Sequence, residues 1–247
     1  MQTNSSIPLR FYLILAVICV LGYNNWSNGQ TSSGDDDTSQ TAVKSKETKD
    51  GWRPLFNGKD LDGWKITEFG GEGEVYVENE EVVVTQGADL SGIHTDRKLA
   101  GKQYEVEFEA CRHAGSDFFV GFTFPVAGSH CSLILGGWGG GVCGISSFEG
   151  MDASENETTT FMDFPKDKWF KVRLVVTDKK LDAWVDKLHL VDVETEGRKI
   201  DVRFEMERSK PFGFATFQTT GRIRNARIRD LPAADDQGDT KSESDLQ

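Results

Sequence analysis

The sequence is poor in cysteine and proline, with four cysteines and six prolines among 247 residues. No two cysteines have the C-x-x-C spacing, so the chain carries neither the common zinc motif nor a dithiol redox motif. Three cysteines, Cys111, Cys131 and Cys143, follow the N-terminal region. Cys131 and Cys143 either pair across a glycine-rich hairpin in an oxidising compartment or stay as free buried thiols. The sequence leaves both options open.

The chain also lacks an apolar run of the ~20 residues that an ordinary membrane-spanning helix needs. Its longest run, at residues 11–22, has about 12 residues, follows Arg10 and precedes the small residues Ser27 and Gly29. This arrangement is typical of a signal peptide, which predicts that residues 1–29 are removed during export to the periplasm or the extracellular space. The alternative is an uncleaved membrane anchor. We expect no transmembrane segment in the mature chain.

Positive charge is scarce, because 28 Lys and Arg stand against 40 Asp and Glu, for a net charge of −12. A surface with this charge repels phosphate groups, so we expect neither nucleic acid nor an anionic membrane as a partner. The sequence has no EF-hand loop, G-x-S-x-G elbow, H-E-x-x-H motif or phosphate-binding loop. The sequence therefore identifies no metal ligands. It predicts no particular cofactor, and a divalent cation is the one cofactor that it leaves as an option.

The distribution of apolar residues along the sequence predicts one folded domain between two polar segments. Residues 30–50 and 232–247 contain few apolar side chains and many acids. They cannot bury enough surface to fold, so we predict a disordered linker and a disordered acidic tail. Residues 51–231 form the predicted domain. Apolar and polar residues alternate there, as at 103–111 and 170–177, and no helical period lasts three turns, so the prediction is all-β.

Residues 51–65 read GWRPLFNGKDLDGWK, and this segment closely resembles the opening of the 3-keto-disaccharide hydrolase domain family. Residues 92–95, 169–186 and 222–231 agree with the family in the same order, so the resemblance covers essentially all of residues 51–231. It implies a concanavalin A-like β-sandwich, or jelly roll, of two antiparallel sheets. It also implies that the partner is a carbohydrate or an oxidised glycoside.

The activity that this resemblance implies is elimination followed by hydration. A ketone at C3 of a sugar acidifies the hydrogen at C2, so a base removes it, the C1 substituent leaves and water adds. Such an enzyme needs a base, a group that stabilises the enolate oxygen and a proton donor. Glu109 or Asp117 is the candidate base, and Arg112 or a bound divalent cation is the candidate for the enolate. His130 or Asp152 is the candidate proton donor.

The candidate substrate-binding residues lie mainly within residues 128–160. Glycines surround Trp138, so its indole is either an exposed platform on which a sugar ring stacks or a core side chain in a kinked strand. Downstream, Glu149, Glu155 and Asn156 lie in a turn-rich connection of about 20 residues. Connections of this length are often functional, although a solvated acidic loop has the same sequence pattern.

We expect the site on the face that bears Glu109, Arg112 and Asp117, next to the glycine-rich segment and the acidic loop. Residues 118–124 (FFVGFTF) are apolar on both sides, as in a central strand or a strand that lines a groove. Two other functions fit the same sequence. One is a catalytically silent, lectin-like carbohydrate-binding module, and the other is a secreted adhesive or matrix domain.

Overall fold

The computed structural model describes residues 49–232. The predicted signal peptide, nearly all of the predicted linker and all but the first residue of the predicted tail lie outside the described residues. Within residues 49–232, no helix is both long and apolar enough to cross a membrane.

The described residues form fifteen strands and one 3-10 helix. In chain order the strands are β1 (Arg53–Pro54), β2 (Lys65–Ile66), β3 (Val75–Glu78), β4 (Glu81–Val84), β5 (Leu90–Thr95), β6 (Tyr104–Gly115), β7 (Val120–Val126), β8 (Ser129–Gly137), β9 (Val142–Ser146), β10 (Thr160–Phe161), β11 (Trp169–Val176), β12 (Lys180–Val185), β13 (Leu188–Glu194), β14 (Phe212–Phe217) and β15 (Thr219–Asp230). The 3-10 helix is Phe204–Ser209.

The strands make two antiparallel sheets. Sheet A has the order β13-β12-β11-β6-β15-β4-β3, with β1 next to β15, and sheet B has the order β10-β9-β8-β7-β14-β5-β2. Many neighbours, such as β6 and β15, are far apart in sequence, so the chain crosses repeatedly between the sheets as in a jelly roll. The prediction of an all-β sandwich with two antiparallel sheets is confirmed.

The core lies between the two sheets and is rich in phenylalanine. Alternate residues of β6, from Tyr104 to Ala110, face it and are almost fully buried. The ring of Phe214 stacks on Phe122 with centroids 4.5 Å apart and meets the edge of Phe108 at 5.2 Å. Such pairs stabilise the core beyond the area that they bury.

The outer face of sheet A is covered by ion pairs between neighbouring strands. The pairs include Glu105 with Arg173 and Arg229, Glu107 with Lys171 and Arg227, and Glu109 with Arg224. Trp52 lies beneath this layer, with its ring centroid 4.3 Å from the guanidinium of Arg227. The charges on this face therefore satisfy one another.

The outer face of sheet B is covered only in part. Met206 of the 3-10 helix packs there against Leu90 and Ala215 in a small second apolar cluster. Gly121 allows this close approach, because a Cβ at that position would lie 2.9 Å from the Phe118 ring and 3.3 Å from Met206. The part of the face beyond the helix stays open as a groove.

Candidate functional site

The groove on sheet B encloses about 430 Å³. Leu90 of β5, Ile134 of β8, Ser146 of β9 and Phe217 of β14 line it. The other lining residues are Asp89, Asp117, Phe118, Trp138, Arg203, Glu205 and Met206. The volume lies within the range of small-molecule binding sites, and a mostly apolar wall with a few polar groups is typical of them.

Trp138 stands at the tip of the hairpin between β8 and β9. Its side chain is 44% exposed, and its backbone has a φ of 49° in the left-handed region. Gly136, Gly139 and Gly140 around it also have positive φ, which glycine adopts without steric cost. Of the two alternatives that the sequence left open for Trp138, the structure shows the exposed indole and not the core side chain.

Two charged residues fix this hairpin. The Asp117 carboxylate accepts hydrogen bonds from the N–H of Gly139 at 3.1 Å and of Phe118 at 2.7 Å. Arg112 Nη2 donates to the carbonyls of Gly136 at 3.1 Å and Gly140 at 2.8 Å. Asp117 also lines the groove, whereas Arg112 lies behind the hairpin.

Arg112 reaches the hairpin from β6 and is not a lining residue of the groove. Its guanidinium carbon lies 5.4 Å from the Phe119 centroid, and its Nε is buried without a partner. Burial lowers the pKa of the Arg112 guanidinium below its usual value. The prediction that Arg112 binds substrate does not fit this position, because its cation is directed to backbone carbonyls.

Arg203 provides the positive charge of the groove. Its Nη1 lies 2.5 Å from Asp152 Oδ2, and its Nη2 lies 3.2 Å from Glu205 Oε1. Ser146 Oγ, on β9, donates to Asp152 Oδ1 at 3.2 Å. The hydrogen bond between Arg203 and Glu205 raises the pKa of the Arg203 guanidinium and lowers the pKa of the Glu205 carboxyl. Asp152 thus lies behind Arg203 and holds it in place.

Glu109 lies on the opposite side of the molecule from Asp117. Its carboxylate accepts hydrogen bonds from Arg224 Nε at 2.8 Å and Asn225 Nδ2 at 3.1 Å. Burial raises the pKa of Glu109, but the bonds from Arg224 and Asn225 outweigh it and the net pKa is lowered. The expectation that Glu109 shares a face with Asp117 is wrong, because Glu109 is on the outer face of sheet A and the core separates it from the groove.

His130 is also remote from Trp138. His130 is the second residue of β8, and the last residue of that strand, Gly137, lies seven residues or roughly 24 Å further along, next to Trp138. Its imidazole lines a different cleft, with Lys102, Asp178 and Arg198. Burial, and then the charge of Lys210, lower the pKa of His130. The predicted role of His130 as proton donor at the same site does not fit this position.

The acidic loop contributes Asp152 to the groove through Arg203, but its other candidates lie elsewhere. Glu149 pairs with Arg198 at 2.7 Å, and Glu155 is exposed outside the groove. Asn156 is buried, its Nδ2 donates to the carbonyls of Ile145 and Asp152, and its Oδ1 accepts from Thr158. The loop itself uses these hydrogen-bonding groups, so Asn156 lies in the fold as a structural residue of the loop, and its predicted contact with substrate stays a prediction.

Arg203, Glu205 and Met206 were not among the predicted site residues. They lie in the connection of about 17 residues between β13 and β14. A connection of this length is itself a signal of a functional loop. Phe118 and Phe217 belong to runs that are apolar on both faces of a strand. Apolar side chains on the face away from the core are unusual where that face is solvated, so these runs were a second signal of the groove. For residues 118–124 the sequence left open a central strand or a strand that lines a groove; β7 is a central strand of sheet B, and Phe118, just before it, lines the groove.

Cys111, Cys131 and Cys143 are free and buried. Cys143 is paired with Leu135 across β8 and β9, so Cys131 lies roughly 13 Å further along the strand. A disulfide needs Cα atoms within about 7 Å, so these two thiols do not pair. Burial raises the pKa of the Cys111 and Cys143 thiols to about 11.

One group of side chains among the described residues has the spacing of metal ligands. Asp182, His189 and Asp192 have ligand atoms within 4.8 Å of one another. The ammonium of Lys180 lies 3.0 Å from Asp182 and 2.8 Å from Asp192. This lysine already supplies the positive charge that the two carboxylates require.

The architecture defines a β-sandwich of the galectin-like or jelly-roll class, and solved structures share it at low identity. A Bacillus subtilis protein with a galectin-like fold has a TM-score of 0.52 at 8% identity, over 70% of this chain and 91% of that chain. Crh5 transglycosylase in complex with NAG has a TM-score of 0.51 at 12% identity, over 74% of this chain and 85% of that chain. The Ca2+/Man3GlcNAc-bound VIP36 exoplasmic/lumenal domain has a TM-score of 0.50 at 11% identity, over 75% of this chain and 90% of that chain.

Within this fold class, the chain can be assigned to a particular family. The model of the 3-keto-alpha-glucoside-1,2-lyase-like domain matches residues 51–229, and the chain belongs to this family. The family resemblance of the sequence is confirmed. No curated protein matches the chain.

Proposed function

We propose that the protein is an exported enzyme that acts on 3-keto-glycosides by elimination and hydration, and that the groove on sheet B is its active site. The observation that carries this proposal is an exposed indole, a carboxylate and a guanidinium around one cavity of about 430 Å³ in a domain of this family. The apolar run at residues 11–22 supports export.

In this mechanism Trp138 stacks on the sugar ring, and Asp117 removes the proton at C2. The electrons of the C2–H bond form the enolate and then expel the C1 substituent, whose oxygen takes the proton from Asp117 and leaves as the alcohol. Water then adds across the resulting C1–C2 double bond, with its hydroxyl going to C1 and its proton to C2. Each Asp117 oxygen accepts one backbone hydrogen bond and has capacity for another, so the carboxylate can still act as a base.

Arg203 suits the enolate oxygen, because it is the only basic side chain among the described groove residues. Asp152 and Glu205 orient its guanidinium, so the cation is in place before negative charge develops on the substrate. Asp152 is thus a positioning residue in this scheme rather than the proton donor. A bound divalent cation is not required by these roles.

A carbohydrate-binding module without catalysis is the second candidate. Every described carboxylate at the groove already has a hydrogen bond or an ion pair, including Asp89 with Gln218 at 3.2 Å. No histidine is among the described lining residues. These features favour binding over proton transfer, so the two functions must be separated by experiment.

The test is incubation of the purified protein with a 3-keto-glucoside and with the same glucoside unoxidised, with and without a chelator. We expect release of the C1 substituent only from the 3-keto compound. Asp117→Asn should lower kcat at least 100-fold, on the scale of a lost general base; because Asn has one acceptor oxygen in place of two, binding of the unoxidised glucoside is measured on the same variant. Equal binding of both glucosides without turnover would instead establish the binding module.

A further inference from the structure

The floor of the groove is made of apolar side chains. The rings of Phe118 and Phe217 are stacked there, with centroids 5.9 Å apart and an interplanar angle of 28°. Leu90, Ile134 and Met206 continue the same floor. A surface of this composition attracts a planar apolar group from water.

The polar groups of the groove occupy its rim, and most of them already have partners. Asp117 holds the Trp138 hairpin, and Arg203 is paired with carboxylates. Ser146 is 1% exposed, and its hydroxyl donates to Asp152. These groups suffice for the hydroxyls of one sugar ring next to Trp138, but no free donor or acceptor remains among the described floor residues.

A second sugar ring over this floor would place several hydroxyls against Phe118 and Phe217. A hydroxyl that loses water without a new partner is costly, so the floor disfavours a sugar as the leaving group. A cavity of about 430 Å³ is of the size that takes a small ligand such as one sugar ring joined to a compact apolar group.

We propose that the preferred substrate is a glycoside with an aromatic or otherwise apolar aglycone, which lies over Phe118 and Phe217 while the sugar contacts Trp138. The chemistry at C1 and C2 rests on the proposed function, but the preference for an apolar aglycone is a property of binding. It can therefore be tested whether or not the protein catalyses elimination.

The first experiment measures binding by calorimetry with unoxidised ligands, 2-phenylethyl α-glucoside and a glucose disaccharide. We expect the phenylethyl glucoside to bind at least tenfold more tightly. In parallel, kcat/KM is measured for the two 3-keto derivatives. Both leaving groups are aliphatic alcohols, so they differ little in acidity, whereas a phenol would be a much better leaving group. Equal or tighter binding of the disaccharide would overturn the proposal.

The second experiment uses Phe217→Ala, with Phe161→Ala as the control. Phe161 is 75% exposed and lies outside the groove. We expect Phe217→Ala to weaken phenylethyl glucoside binding at least fivefold without changing disaccharide binding, and Phe161→Ala to change neither. An unchanged preference in Phe217→Ala would refute the assignment of the floor.

If Phe217→Ala does not fold, competition by free 2-phenylethanol against phenylethyl glucoside on the unaltered protein replaces it. We expect competition at millimolar alcohol, and none would count against the proposal. The two proposals fail in different ways. Preference without turnover refutes only the enzymatic function, and turnover without preference refutes only the apolar aglycone.

Discussion

Trp138 combines two features that are unfavourable unless something else requires them. A large indole is exposed to water, and a non-glycine residue adopts a φ of 49°. Backbone in this region costs about 1–3 kcal/mol for a non-glycine residue. The hydrogen bond from the Gly139 N–H to Asp117 and the hydrogen bond from Arg112 to the Gly140 carbonyl hold this conformation. This strained conformation places the indole above the groove.

Substitution of this indole should affect binding more than folding. Trp138→Ala should weaken sugar binding by about 1 kcal/mol or more, the scale of an aromatic contact, with little change in melting temperature. Trp184→Ala, on sheet A next to His189, is the matched control and should leave binding unchanged. A stability loss of about 3–5 kcal/mol in Trp138→Ala would instead be the behaviour of a core residue.

At the scale of single residues, the sequence allowed only some of the site to be predicted. Trp138 and Asp117 could be placed there because glycines and turns surround them. Glu109 could not, because alternation along a strand shows that a side chain points out of the core but not which sheet carries the strand. Arg203 lies far away in sequence, and only the length of its loop indicates it.

At the scale of elements, the β8–β9 hairpin depends on the end of β6 and on the segment that follows it. Arg112, near the end of β6, donates to the carbonyls of Gly136 and Gly140, and Asp117, between β6 and β7, accepts from the N–H of Gly139. A Cβ at Gly136 would lie 2.3 Å from Arg112 Nη2, so glycine at this position is what admits the guanidinium. The two segments should therefore loosen together.

Removal of the guanidinium tests this coupling. Arg112→Met keeps much of the packing but loses the bonds to Gly136 and Gly140, and a hydrogen bond to a charged donor contributes about 1.5–3 kcal/mol. We expect a lower free energy of unfolding in urea and faster hydrogen exchange of the Gly139 amide. Arg53→Met, which removes bonds to Leu99 and Asp230, is the control. It should destabilise the protein without faster exchange at Gly139.

The main strands could be predicted from the sequence, because alternation of apolar and polar residues marks them directly. The predicted segments at 103–111, 170–177 and 212–217 correspond to β6, β11 and β14. The 3-10 helix at Phe204–Ser209 and the two-residue strands β1, β2 and β10 were not predicted, because they are too short to show a period and tertiary contacts determine them. The longer strands β3, β4, β5, β8 and β9 were not predicted either.

At the scale of the whole molecule, the ion pairs of sheet A link stability to pH. Burial raises the pKa of Glu107, but bonds from Arg227 and Lys171 outweigh it and the net pKa is lowered. Glu109 behaves in the same way with Arg224. A carboxylate with a lowered pKa in the folded state stabilises the fold above its ordinary pKa of 4.5, and this contribution disappears as the pH falls through the lowered value.

The contribution of Glu107 and Glu109 to the free energy of unfolding should therefore be nearly constant between pH 7 and about pH 5. It should decrease as the pH falls below about 4.5. Urea unfolding at a series of pH values measures this. Glu107→Gln should reduce the decrease, whereas Glu155→Gln, at an exposed position, should preserve it. A constant urea midpoint from pH 7 to pH 3 would show that the ion pairs contribute no net stability.

The edges of the two sheets have a consequence for behaviour at high concentration. Sheet B ends in β10 and β2, which have two residues each, so few backbone groups are open to a strand from another molecule. Sheet A ends on one side in β13, where Asp192 and Glu194 are exposed. Short strands and edge charges are the usual defences against edge-to-edge aggregation. The folded domain should thus stay monodisperse when concentrated, unless partial unfolding exposes its inner strands.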